Sequence, residues 1–110
     1  MNPYAIPGIA GIDAMCAQEW GIPRERLYHR TRKREVVEAR QMAMYLHVTR
    51  ERSSYATAAG HYGLDHATAI HAVKTVRALM AMDKEFKRKA SAVIDKLQVL
   101  DNAVEDENNS

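Results

Sequence analysis

Gly63-Leu64-Asp65-His66-Ala67-Thr68-Ala69-Ile70-His71-Ala72 is the stretch that decides the fold. Gly63 suits a tight turn, Asp65 an N-cap, and His66 opens a helix whose first turn is polar. An N-cap carboxylate accepts from otherwise free backbone N–H groups, and the side chains just after it project from the helix end that enters a major groove first. Stepping along this helix, Ala69, Ile70, Val73, Val76 and Met80 gather on one face, while Ala67, Thr68, His71, Lys74 and Thr75 occupy the other. Upstream, Ser53 or Ser54 can cap a short helix through about Tyr62, where Ala56, Ala58 and Ala59 permit close packing. A short helix, a Gly-containing turn and a second helix form a helix-turn-helix layout.

Working outward, Arg30-Thr31-Arg32-Lys33-Arg34 is a compact positive loop suited to phosphates or a narrow minor groove. Before it, Ile9, Ile12, Cys16 and Trp20 recur at helical spacing from Pro7 to Trp20, and Gly21 with Pro23 ends that helix. Pro23 can start a short second helix that carries Leu27 and Tyr28 inward, leaving residues 29–34 as an exposed connection. From Glu35 to about Arg50 apolar residues cover most of the circumference, with Val36, Ala39, Ala43 and Leu46 on one side and Met42, Met44, Tyr45 and Val48 over much of the rest. That predicts a central, heavily packed helix, in which Met at helical spacing fills core space. Asp83 or Lys84 begins a last amphipathic helix through Phe86, Ala90, Val93, Ile94, Leu97 and Leu100. The expected fold is all-α: a small domain of five to six helices over residues 1–100, containing a helix-turn-helix and an extra C-terminal amphipathic helix. A frayed acidic tail over residues 101–110 follows.

At 110 residues the chain has room for one core. Its net charge of +2 hides an asymmetry: residues 1–100 carry 16 basic and 10 acidic side chains, a net +6, and the tail contributes four acids. A basic body favours DNA, RNA or an anionic surface without selecting among them. Cys16 has no second cysteine to pair with, which fits a reducing compartment and a cytoplasmic location. The start Met1-Asn2-Pro3-Tyr4 lacks a secretory pattern, no run approaches a membrane span, and no membrane partner is expected. His61, His66 and His71 are spaced by five, not by the four that converges on one ion, so no metal is expected. Cys16 lies on an apolar stripe and no nucleophile-base or paired-carboxylate spacing emerges, so the chain reads as a non-enzyme without a cofactor.

Two blocks carry a family resemblance. Arg40-Gln41-Met42-Ala43-Met44-Tyr45-Leu46 and Asp65-His66-Ala67-Thr68-Ala69-Ile70-His71-Ala72 resemble signature segments of the C-terminal DNA-binding domain, domain IV, of DnaA, the bacterial chromosomal replication initiator. The likeness runs from about Ile9 to Met80, with Trp20 where the family has an aromatic and Tyr62 where it has Phe. It implies double-stranded DNA as partner, at initiator-box-like sites in replication initiation or its regulation, with replication initiation proteins as further partners. It places Arg32 in the minor groove with Arg30, Lys33 and Arg34 as phosphate neighbours, and Asp65, His66, Ala67 and Thr68 at base-reading positions. His71 and Lys74 lie further along the reading face, where a DNA contact and a solvated side chain both fit His71.

Three departures bear on that implication. Leu64 stands where the family usually has Arg, Ala67 replaces a Thr, and Tyr62-Gly63-Leu64 is one residue shorter than the usual turn. Losing one phosphate-directed Arg removes about one counterion's worth of salt dependence. The sequence also lacks the phosphate-binding loop of an ATPase, so no nucleotide cofactor is expected. A protein-interaction module, or a transcriptional regulator that keeps the fold with altered box recognition, is the alternative. RNA suits a groove-reading helix less well. Lys84, Lys87, Arg88 and Lys89 read as the wet face of the last helix.

Overall fold

The computed structural model describes residues 9–109, with side chains from 11 to 103. The readings placed on residues 1–8, on the Ile9 side chain and on Ser110 lie outside the described residues. Five helices are present: α1 (Ile9–Glu19), α2 (Arg34–Thr49), α3 (Tyr55–Gly60), α4 (His66–Met82) and α5 (Lys84–Asn109), with a 3₁₀ turn at Arg24–Tyr28 between α1 and α2. Among the described residues there is no strand, so the fold is all-α. No helix among them is long and apolar enough to cross a membrane.

The centre of the fold is α2, which packs against α1, α3 and α4. Its buried residues include Val36, Ala39, Met42, Ala43, Met44 and Leu46, so three successive turns present apolar side chains nearly all round. Its methionines fill the core, as their spacing predicts. Facing them, Ile12, Met15 and Cys16 of α1 are fully enclosed, and burial pushes the Cys16 thiol well up from its ordinary value, which leaves it a protonated, unreactive filler.

Two helix ends share one device. At the end of α1 the Gly21 N–H donates to Gln18 O and the Ile22 N–H to Ala17 O. At the end of α3 the Gly63 N–H donates to Gly60 O and the Leu64 N–H to Ala59 O. Each pair is a Schellman motif with glycine at positive φ, 71° and 70°, and each is followed by an apolar residue, Ile22 or Leu64, packed against the core. Leu64 is therefore the apolar staple of the helix-turn-helix turn. The starts of α3 and α5 are capped by side chains: Ser54 Oγ accepts from Thr57 N at 3.0 Å, and Asp83 Oδ1 accepts from Glu85 N and Phe86 N at 3.0 Å.

The last helix lies against α1 and α4 through Phe86, Ala90, Val93 and Leu97. Phe86 meets Trp20 edge-on at 5.4 Å between ring centroids, and Lys89 stands over the Trp20 ring at 5.6 Å. Two sequence expectations need correction. Tyr28, expected to point inward, is 42% exposed, because the 3₁₀ turn places only Leu27 in the core. Residues 101–109 continue α5 as helix where a frayed tail was expected. Arg50, just past α2, donates to the Leu97 carbonyl and the Asp101 carboxylate, tying the extension to the body.

Candidate nucleic-acid interface

The polar start of α4 is built by Asp65. Its Oδ1 accepts from the Thr68 backbone N–H at 3.1 Å and from the Thr68 hydroxyl, also at 3.1 Å. Those two hydrogen bonds, the backbone one first, hold the Asp65 carboxyl below its ordinary value, so the cap is ionised at neutral pH. A negative charge there also complements the positive end of the helix dipole. The Thr68 hydroxyl proton is committed to this cap. What Thr68 presents outward is therefore its methyl group and an oxygen lone pair, which suits a thymine methyl or a base amino group.

His66 and Ala67 are exposed beside the cap, and Ala69 turns into the core. His71 and Lys74 continue the exposed side, with His71 Nε2 lying 3.3 Å from the Thr75 hydroxyl one turn on. The fold thus brings Asp65, His66, Ala67 and Thr68 together at the helix start, and sets His71 and Lys74 further along it. The histidines diverge: His61 packs edge-on against His47 at 5.6 Å, while His66 and His71 lie out on α4. Among the described residues no three metal-ligating side chains converge.

The basic loop is held from below. Arg40, half-buried on α2, donates from Nε to Leu27 O at 2.8 Å and from Nη2 to His29 O at 2.6 Å. Burial lowers its guanidinium from its ordinary value, yet a guanidinium remains protonated and ideally forked for two carbonyls. Lys33 N donates to Thr31 Oγ1 at 3.2 Å, folding the loop on itself. Arg30, Arg32 and Lys33 are exposed beside this clamp, and among the described residues no carboxylate is ion-paired with them. Arg34, which the resemblance gives as a phosphate neighbour, is ion-paired within the fold. It opens α2 and is bound to Glu38 at 2.9 Å and Asp83 at 3.4 Å, two carboxylates within its own reach.

Loop and helix start meet through two tyrosines. The ring of Tyr28, just before the loop, stacks on Tyr62, just before the Gly63 turn, with centroids 5.7 Å apart and planes 13° from parallel.

Matched against known proteins, residues 9–76 fit the family model described as the bacterial dnaA protein helix-turn-helix. The chain belongs to the bacterial DnaA helix-turn-helix family. It is 42% identical over 76 residues, 68% of its length, to the chromosomal replication initiator protein DnaA of Flavobacterium psychrophilum, and 39% identical over 77 residues, 69% of its length, to that of Bacteroides fragilis. A third DnaA, from a Synechococcus strain, is 30% identical over 92 residues, 83% of the chain. The matched part spans 16% of the first two relatives and 20% of the third.

Within this DnaA-type fold several residues that organise the interface escaped the sequence reading. Arg40 appeared there only as part of a signature block, although a cation between Ala39 and Met42 in a packed helix signals a side chain that must find acceptors. Asp13 of α1 and His47 of α2 are fully buried, and both bond to the Tyr62 hydroxyl. Asp13 sits between Ile12 and Cys16 on the apolar stripe, and that placement was the available signal.

Proposed function

We propose that this chain binds double-stranded DNA with sequence preference, at initiator-box-like sites, and serves replication initiation or its control in the bacterial nucleoid. Arg32 enters the minor groove, and Arg30 and Lys33 neutralise flanking phosphates. At the start of α4, Asp65, His66 and Thr68 read base edges in the major groove, while the Ala67 methyl meets a thymine methyl. Lys74, with His71 beside it, tracks the phosphate backbone along the helix. The chain acts as a non-enzyme in this reading, and neither nucleotide nor metal enters it.

The observation that carries the reading is the joint support of two exposed, unpaired polar segments. The loop rests on the Arg40 fork, the α4 start on the Asp65 cap, and the Tyr28–Tyr62 stack links the two. A pair of segments held in fixed relation loses little conformational entropy on meeting two adjacent grooves. Membership of the DnaA helix-turn-helix family supports the same conclusion.

The test is a fluorescence-anisotropy titration with a duplex carrying the family's box and a scrambled duplex, each at two salt concentrations. A preference for the box over the scrambled duplex that persists at the higher salt, while both affinities fall, is the expected result. Equal or absent binding to the two duplexes sinks the reading and favours a protein partner.

A further inference from the structure

We infer that Asp13 is a positioning residue for DNA binding, a single buried carboxylate that fixes the basic loop relative to the start of α4 by holding Tyr28 and Tyr62. The inference rests on the DNA-binding reading above and assigns the geometry of that interface to a residue that touches no DNA.

A fully enclosed carboxylate is costly unless its lone pairs are occupied, and apolar residues of similar volume would stabilise the core at least as well. What the carboxylate adds is geometry. Its Oδ2 accepts from the Tyr28 hydroxyl, and its Oδ1 accepts from the Tyr62 hydroxyl at 2.5 Å. His47 Nε2 lies 3.2 Å from Oδ1 and 3.0 Å from the Tyr62 oxygen. Tyr62 already donates to Asp13, so these partners assign the ring proton to Nε2, while Nδ1 is buried without a hydrogen-bond partner. Burial first, and the Asp13 carboxylate after it, raise both phenols above their ordinary values, so both remain donors at any working pH.

The four groups come from four separate places: α1, the 3₁₀ turn, α2 and the segment after α3. Tyr28 is the last residue of the 3₁₀ turn and leads directly into His29–Lys33, whereas Tyr62 leads directly into Gly63, Leu64 and Asp65. Tyr28 keeps 42% of its surface exposed, so apolar burial alone does not fix its ring; the hydroxyl bond to Asp13 and the stack on Tyr62 do. Removing that bond leaves the ring stacked but free to slide, and the loop's base moves with it.

The experiment is a set of double-mutant cycles on the full chain, reading affinity for the box duplex by anisotropy and folding by thermal melting. Tyr28→Phe keeps the half-exposed ring and is expected to fold, and it should weaken box binding about five- to tenfold, the scale of one charge-assisted hydrogen bond expressed in part. In the Arg32→Ala background the same substitution should have a smaller effect, because Tyr28 acts through the loop and only Arg30 and Lys33 remain there to be displaced. In the His66→Ala background its loss should multiply. Asp13→Asn, where melting shows it folded, should be non-additive with both Arg32→Ala and His66→Ala. An unchanged affinity of Tyr28→Phe, or a loss that multiplies with Arg32→Ala, overturns the inference. Wild-type protein without box preference, or single Arg32→Ala and His66→Ala variants that bind normally, overturns the DNA reading and this inference together.

Discussion

The pairing of Arg34 predicts a sharp contrast within the basic loop. Of the exposed cations, the four assigned to the proposed DNA contact, Arg30, Arg32, Lys33 and Lys74, have no carboxylate ion-paired with them among the described residues. Arg34 is already shared between Glu38 and Asp83. If those four meet phosphates or the minor groove, each releases about one counterion, and the logarithm of affinity falls with the logarithm of salt at a slope of about −3.6. An approximately fourfold rise in salt then weakens binding about 150-fold. Arg30→Ala should reduce the slope to about −2.7, so the same rise in salt costs only about 40-fold. Arg34→Ala should leave the slope of the wild type unchanged, because a guanidinium held by two carboxylates releases no additional counterion. Its effect should appear as a lower melting temperature, since α2 loses its tie to the α4–α5 junction. Anisotropy titrations of the three proteins at five salt concentrations decide the matter. Equal slope losses for Arg34→Ala and Arg30→Ala would refute the reasoning, since they would mean that DNA breaks the Glu38 and Asp83 pairs to recruit Arg34.

Three further outcomes follow from particular contacts. Phe86→Ala, which empties the site beside Trp20 under α5, should destabilise the domain by about 3–5 kcal/mol in a denaturant titration. Asp65 has a lowered folded-state value, so its cap contribution is present above the ordinary Asp range and is lost as pH falls through the lowered value. Asp65→Asn keeps a capping acceptor without the charge, so the melting advantage of the wild type over this variant should be constant near neutrality and vanish in strong acid; a constant difference at all pH values would contradict the assignment. Leu64→Arg should lower stability by about 1 kcal/mol through loss of the staple, while steepening the salt slope by about 0.9, and an unchanged slope would show that position 64 faces away from phosphates.

Much of this fold was legible because helix ends are written in local chemistry. Ser54, Gly63 and Asp65 each act within a few residues of themselves, and α3, the turn and α4 begin and end where those residues place them. The apolar face of α4 follows from period alone, because a helix cannot hide Ala69, Val73 and Val76 without exposing Ala67, His71 and Lys74. Partners distant in sequence were not legible. Arg34 lies 49 residues from Asp83, and Asp13 lies 49 residues from Tyr62, so no window of local pattern contains either pair. The end of α5 was misjudged for a related reason: composition marks 101–110 as polar and solvated, and the Arg50 side chain that reaches Asp101 comes from just past the end of α2, 51 residues away.

The turn before α4 and the buried cluster beneath it act on the same surface. Residues that match the family signature, Asp65, His66, Thr68 and His71, lie at the surface of α4, wholly or in part. Two residues of the turn are tied inward: the Tyr62 hydroxyl donates to Asp13, and Leu64 is an apolar staple packed against the core. A turn anchored in this way lacks the salt-sensitive attraction that an Arg at position 64 could offer, but it also has less freedom to lose if α4 docks on DNA. These two effects separate by salt. An anchored turn contributes equally at low and high ionic strength, whereas a phosphate contact fades as counterions compete. If the proposed DNA contact is made, this chain should therefore bind with a shallower salt slope than its own Leu64→Arg variant, and its affinity at high salt should depend on Tyr62 more than on any cation of the loop.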